Sequence, residues 1–215
     1  MLQVITPGVD TPGQIATKKE ARHALSTRVE GQVVLFVAND YQRKGLDVLL
    51  QAMPRLPTEV RLLVVGSSTQ MKTYRDQAHR LGLSDRVQFL GPLQDMQMAY
   101  ACADVLAHPT LEDSFGMVVL EAMAHGLPVV VSGARYCGVA ASLQHEKNAM
   151  LLDDPKNAEE VRVTLSRILA DQALADTLIA NGADVVRMQT WQQAAMAYDR
   201  LYRYLASAAM GRPLP

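Results

Sequence analysis

The chain has 215 residues, 49% hydrophobic and 20% charged, the composition of an ordinary globular protein with enough apolar material to pack a core. A formal net charge of -1 provides no global basic field, which argues against nucleic acid or an anionic membrane as partner and requires any anionic ligand to be held locally. Cys102 and Cys137 are far apart and form no CxxC pair, which argues against a disulfide framework or a zinc cluster and makes a reducing, cytoplasmic setting the expectation.

No apolar run approaches the roughly 18 residues of a spanning helix. The first residues lack an export signal pattern, so the chain is expected to be neither inserted nor exported on its own. Residues 1–30, with TPGVDTPG followed by KKEARHAL, read as an entry segment and one polar helix ahead of a single domain over 31–215. Short apolar runs then recur at 33–37, 61–66, 86–91, 104–109, 127–132 and 149–154, each closed by a turn signal. Continuous rather than alternating apolarity predicts strands covered on both faces. Helical patterns at 45–53, 70–82, 94–102, 115–125 and 137–144 lie between them. The alternation predicts an α/β fold, a doubly wound parallel sheet, and after residue 156 three further helices at 157–170, 172–187 and 190–208. Such a sheet binds ligands at the carboxyl ends of its strands, near the point where the strand order reverses. Neither GxGxxG nor GxxxxGK[ST] is present, so a nucleotide must be recognised by other devices.

One helix stands out in EDSFGMVVLEAMAHGLPVVVS, residues 112–132. Ser114 is a suitable N-cap, Gly126 stands where a helix ends, and Pro128 prevents continuation, so the helix should run from Phe115 to His125. Its circumference is apolar except for Glu121 and His125, and a carboxylate there needs a partner. That partner is either a ligand or a structural arginine. The first turn of the helix offers free N–H groups to phosphate oxygens, and Gly116 permits close approach. Asp113, on the loop just before it, joins Glu121 as a candidate acceptor of sugar hydroxyl bonds, although Asp113 and Ser114 also qualify simply as competing caps.

A second cluster, VLFVANDYQRKGLDVLL, puts Arg43 and Lys44 at a helix start, where cations oppose the macrodipole. A bound diphosphate explains them, and so does a solvated basic loop.

DSFGMVVLEAMAHGLPVVVS resembles the signature of the retaining glycosyltransferases of family 4, in which two acids separated by seven residues precede an AMAxGxPVV segment. Asp113 holds a position that is usually glutamate, with Glu112 beside it. NDYQRKGLDVLLQAM is similar to the lipopolysaccharide core glucosyltransferases of that family, and RVQFLGPL to its V-x-F-x-G element. ITPGVD at 5–10 resembles the PNGVD element that follows the interdomain linker.

The resemblance covers only the C-terminal, donor-binding half of a two-domain GT-B enzyme with a Rossmann-like sheet. It implies a nucleotide sugar as donor, UDP-glucose or a related UDP-hexose, and a lipopolysaccharide core or other glycan or glycolipid acceptor. The acceptor would be held by the missing N-terminal domain, and membrane contact would be peripheral and confined to the full-length protein. It further implies catalytic roles for Arg43 and Lys44, sugar contacts from Asp113, Ser114, Phe115 and Gly116, and nucleotide contacts from Met117, Val118, Glu121, Leu90, Gly91 and Gly66. No metal or other cofactor is implied. A nucleotide-sugar epimerase of the same architecture, or a noncatalytic nucleotide- or sugar-binding module, are the alternatives.

Overall fold

The computed structural model describes residues 4–27 and 30–209. Six strands, β1 Val33–Val37, β2 Arg61–Val65, β3 Val87–Gly91, β4 Val105–His108, β5 Val129–Ser132 and β6 Met150–Leu152, form one parallel sheet in the order β3-β2-β1-β4-β5-β6. They are the six apolar runs. The helices are α1 Lys18–Ala24, α2 Leu46–Ala52, α3 Met71–Arg80, α4 Met96–Cys102, α5 Met117–Ala124, α6 Ala158–Ala170, α7 Gln172–Met188 and α8 Trp191–Ala209.

Continuous apolarity in the strands has its cause in two cores. Side chains alternate across a strand, so Val34 and Phe36 of β1, Val105 and Ala107 of β4 and Val130 of β5 join α2 and α6 on one face. Val33, Leu35, Leu106, Val129 and Val131 join α4 and α5 on the other. From β1 the chain winds outward through β2 and β3, then returns to β4 and winds the opposite way through β5 and β6. The order therefore reverses between β1 and β4, and the loops after these strands diverge around a crevice.

The polar helix expected near the N-terminus is anchored rather than free. Thr17 caps α1 in a reciprocal box with Glu20. Arg22, 7% exposed, donates to the Cys102 carbonyl at 3.0 Å and to Asp104 at 2.8 Å. Lys18 reaches Asp104 at 2.5 Å, and the Val33 N–H donates to the same carboxylate at 2.7 Å.

Two local expectations need correction. Helix α5 begins at Met117, not Phe115, and its N-cap is Gly116 in a left-handed conformation with φ of 95° and no side-chain cap, so Ser114 does not cap it. Asp113 has taken over locally, its Oδ1 accepting the Phe115 N–H at 3.1 Å, which closes an Asx-type turn one step before the helix. The far end follows expectation, with Gly126 at φ 73° and the N–H groups of Leu127 and Gly126 donating to Ala122 and Met123 carbonyls, each at 3.0 Å, in a Schellman arrangement.

The predicted helix at 137–144 is a short 3₁₀ segment, Gly138–Ser142. Backbone donors there bond to another loop, Gly138 to the Asp113 carbonyl at 3.1 Å and Val139 to the Phe115 carbonyl at 2.6 Å, so they are lost to an α-helical ladder. On α8, Trp191, Tyr198, Tyr202 and Tyr204 are 50%, 46%, 64% and 43% exposed. Among the described residues no helix is long and apolar enough to cross a membrane.

Candidate functional site

The two loops at the crevice are knitted to each other. The Arg43 carbonyl accepts from the Leu111 N–H at 2.8 Å and from Thr110 Oγ1 at 3.3 Å, and Thr110 is fully buried. Gly45 opens α2 as Gly116 opens α5, in a left-handed conformation, with φ of 81° and without a side-chain cap. A Cβ on Gly45 would lie 2.0 Å from the Pro109 carbonyl oxygen, so the β1 loop passes the β4 loop where only glycine fits. Gly116 is equally constrained, since a Cβ there would come within 2.6 Å of Cys137 Sγ.

This packing carries Lys44 across to the acidic motif. Its ammonium lies 2.7 Å from Asp113 Oδ2 and 2.9 Å from the Glu112 carbonyl. Nε2 of His108, the last residue of β4, is 3.0 Å from the same carboxylate oxygen. Burial alone pushes the Asp113 carboxyl up, but the hydrogen bonds and charges around it outweigh burial and hold it well below the usual carboxylate range. Burial has the opposite consequence at His108, lowering its pKa against the pull of Asp113, so the ring is neutral and donates through Nε2. Lys44 is the cation that answers Asp113.

Arg43, Lys44, His108, Asp113 and Val118 share a depression of about 380 Å³ at the carboxyl ends of β1 and β4, with Asp40 on its rim. The Arg43 guanidinium is half-exposed and 3.4 Å from Asp40. Phe115 is half-buried against Val139 and Cys137, Ser114 is exposed, and Met117 and Val118 supply the first N–H groups of α5.

Glu121 lies one turn further along α5, outside the residues lining the depression. Its partner is not an arginine. Oε2 accepts the Tyr100 hydroxyl at 2.5 Å, and the Tyr100 ring stacks on His125 at 4.8 Å. Burial, reinforced by the charge of Glu121, raises Tyr100 far above its ordinary value and keeps it a donor.

Gly66, Leu90 and Gly91 lie at the ends of β2 and β3, outside the residues lining the depression. Gly66 donates to the Gly91 carbonyl at 2.8 Å and is pinned to the β1 loop, its own carbonyl accepting the buried Tyr41 hydroxyl at 2.9 Å. Space around a Cβ on Gly91 is open.

His108, Thr110 and Tyr100 are the contributors that sequence reasoning underrated. Thr110 and Tyr100 act through bonds to Arg43 and Glu121, distant in sequence, and His108 through a bond to Asp113 five residues on, and none of these leaves a periodicity to read. The ligand atoms of His108, Asp113 and Cys137 lie within 4.8 Å of one another, a spacing a metal ion could bridge. Electrostatics disfavours a cation at that point, because Lys44 already occupies Asp113 Oδ2 and burial pushes the Cys137 thiol up to about 12.

Comparisons with known proteins place the chain in a family. Residues 17–185 match the family described as Glycosyl transferases group 1. Over 99% of its length the chain is 33% identical to a D-inositol 3-phosphate glycosyltransferase of Xylanimonas cellulosilytica, of which it covers 52%. The crystal structure of WaaG, a glycosyltransferase involved in lipopolysaccharide biosynthesis, is similar over 92% of this chain and 55% of its own, with a TM-score of 0.80 and 26% identity. Anabaena Alr3699/HepE in complex with UDP and glucose is similar over 88% of this chain and 52% of its own, with a TM-score of 0.77 and 25% identity. The chain thus spans about half the length of the curated relatives it matches. With its six parallel strands, reversed order at β1 and β4, and paired loops at that point, the chain belongs to the glycosyl transferases group 1 family.

Proposed function

We propose that this chain is the donor-binding half of a retaining glycosyltransferase that moves a hexose from a UDP-linked sugar to a hydroxyl of a cell-surface glycan, with the lipopolysaccharide core as acceptor class. One observation carries the reading: the Lys44 ammonium and the amino end of α5 border the same depression from opposite sides of the switch point. As the anomeric C–O bond breaks, negative charge grows on the departing diphosphate. Fixed donors aimed at that oxygen stabilise the transition state more than the ground state. In this reading Lys44 and Arg43 supply the cations, and the Met117 and Val118 N–H groups extend the anion site.

Asp113, Ser114, Phe115 and Gly116 border the hexose. Glu121, steadied by Tyr100, accepts from a ribose hydroxyl, and Gly66, Leu90 and Gly91 offer backbone to the nucleobase. The chemistry uses no metal and no bound cofactor. Support for UDP comes from Alr3699/HepE, a relative solved as complexes with UDP and with UDP-glucose.

A second acceptor reading, a phosphorylated cyclitol, is favoured by D-inositol 3-phosphate glycosyltransferases that are 33% and 38% identical to this chain. In either case the acceptor is gripped by the other half of the enzyme. Alone, this chain binds nucleotide sugar and transfers nothing, because one wall of a cleft neither orients an acceptor nor excludes water. Two free, buried cysteines fit cytoplasmic operation.

Calorimetric titration with UDP, ADP and GDP sugars, repeated on Lys44→Ala and Glu121→Ala, tests the assignment. UDP sugars are expected to bind tightest, and each variant to weaken them. Wild-type affinity in the Lys44 variant would refute the donor-site reading, and in the Glu121 variant the ribose contact.

A further inference from the structure

Lys44 has three N–H donors, and two are engaged within the chain, one by the Glu112 carbonyl at 2.9 Å and one by Asp113 Oδ2 at 2.7 Å. The ion pair is shielded from water, both side chains being 16% exposed. Asp113 is held on its other sides as well, by His108 Nε2 at Oδ2 and by the Phe115 N–H at Oδ1. Only one lone pair of Oδ1 is left for any other donor. Where the family pattern has glutamate, the shorter arm keeps this carboxylate drawn back against the end of β4.

His108 is committed to that one contact. Its side chain is 1% exposed, and its buried Nδ1 has no hydrogen-bond partner among the described residues. With the proton on Nε2, the bare Nδ1 is an unmet acceptor, less costly to bury than an unmet N–H. A ring placed only to fill space would more cheaply be apolar.

We propose that His108 and Asp113 form a positioning pair that holds Lys44 partly neutralised, and that this weakens the grip of the site on a nucleoside diphosphate, the leaving group of the transfer. The inference rests on the donor-site reading above. An incoming diphosphate meets a cation already answered by a carboxylate, and it is repelled by that carboxylate as well. The effect falls hardest on the released product, whose terminal phosphate carries an ionised oxygen that is esterified in the nucleotide sugar. The pair therefore favours release of spent diphosphate over retention.

The test is calorimetric, with UDP and uridine titrated into wild type, Asp113→Asn, Lys44→Met and the double variant. Asp113→Asn is expected to tighten UDP about five- to tenfold, the scale of a half-buried charge pair, and to leave uridine unchanged. In the Lys44→Met background the same substitution should alter UDP affinity by less than about twofold, because the cycle isolates the coupling between the two side chains. His108→Leu should reproduce part of the gain, and His108→Gln, whose amide nitrogen reaches the point occupied by Nε2, should restore the wild-type value. Uridine affinity and the melting temperature report whether each variant folds. An unchanged or weakened UDP affinity in Asp113→Asn overturns the inference, as does equal tightening with Lys44→Met. If Lys44→Met binds UDP like wild type, the donor-site reading itself fails; if Lys44→Met weakens UDP while Asp113→Asn does not tighten it, only the present inference fails.

Discussion

Each end of the β1–β4 pair carries an aspartate facing cations, yet the two ends differ in what those cations can still do. At the amino end Asp104 accepts from Lys18, Arg22 and the Val33 N–H, and together these staple α1 to the sheet. Beside it lies a well-formed hollow of about 290 Å³ that includes Arg61 and Arg86. Both guanidinium groups there bond backbone carbonyls, Arg61 those of Glu30 and Asp85, and Arg86 those of Leu56, Pro57 and Val60. At the carboxyl end Lys44 retains a donor, Arg43 is half-exposed, and two helices begin without side-chain caps. A hollow with positive charges is therefore not by itself an anion site. The carboxyl end differs because one Lys44 donor, the half-exposed Arg43 guanidinium and the first helix N–H groups are left over by the fold.

The largest effect that sharpens this contrast is at the amino end. Asp104→Ala leaves a 7%-exposed arginine without its carboxylate and a strand N–H without its acceptor. The expected loss is about 3 kcal/mol of stability in a urea titration, with UDP affinity unaltered in whatever fraction remains folded. An equal loss of UDP affinity would erase the distinction between the two ends.

Gly45→Ala comes next. The new Cβ meets the Pro109 carbonyl oxygen at 2.0 Å in a left-handed backbone, so about 2 kcal/mol is expected together with weakened UDP binding as the two loops part. Gly82→Ala is the control, left-handed too but with no atom within 4 Å of the Cβ, and should lower the denaturation midpoint by only about half as much.

Tyr100→Phe is smaller again, about 1 kcal/mol for the lost hydroxyl bond to Glu121. It should weaken UDP while leaving pyrophosphate affinity unchanged. Pyrophosphate affinity falling in parallel would remove Glu121 from the ribose.

The fold was legible because its strands are covered on both faces. Six apolar runs predicted six strands, and each lies where the run does, to within two residues at either end. The C-terminal helices were equally plain, since amphipathic periodicity is a local property. What escaped was everything decided between loops. Ser114 looked like a cap because serine often is one, but Asp113 takes the neighbouring N–H and a left-handed Gly116 opens the helix. The 137–144 segment looked helical until its donors were claimed by Asp113 and Phe115 carbonyls. In the same way, the motif brought Lys44 and Asp113 to notice separately, while their mutual contact depends on β1 and β4 being neighbours across the reversal, and that of Asp113 with His108 on the turn of the chain after β4. Sequence pattern drew attention to these side chains and could not give their partners.

Acid titration separates the two sides of this partnership by the smallest of the expected effects. His108 is faced by Asp113, Lys44 and the Cys137 thiol, and burial leads in lowering its pKa below that of an unfolded histidine. An unfolded chain then binds the proton more readily, so the contribution of His108 to stability is intact above about pH 6.5 and declines as pH falls through that value. Asp113 has its carboxyl depressed, and its contribution is intact above about pH 4 and declines only below it. Urea midpoints measured from neutral pH to about pH 3 should therefore fall in two stages for wild type. The upper stage should vanish in His108→Gln and the lower one shrink in Asp113→Asn. If the upper stage survives in His108→Gln, the ring is not the buried neutral donor on which the hold over Asp113 depends, and the contrast between the two ends of the sheet narrows to Lys44 alone.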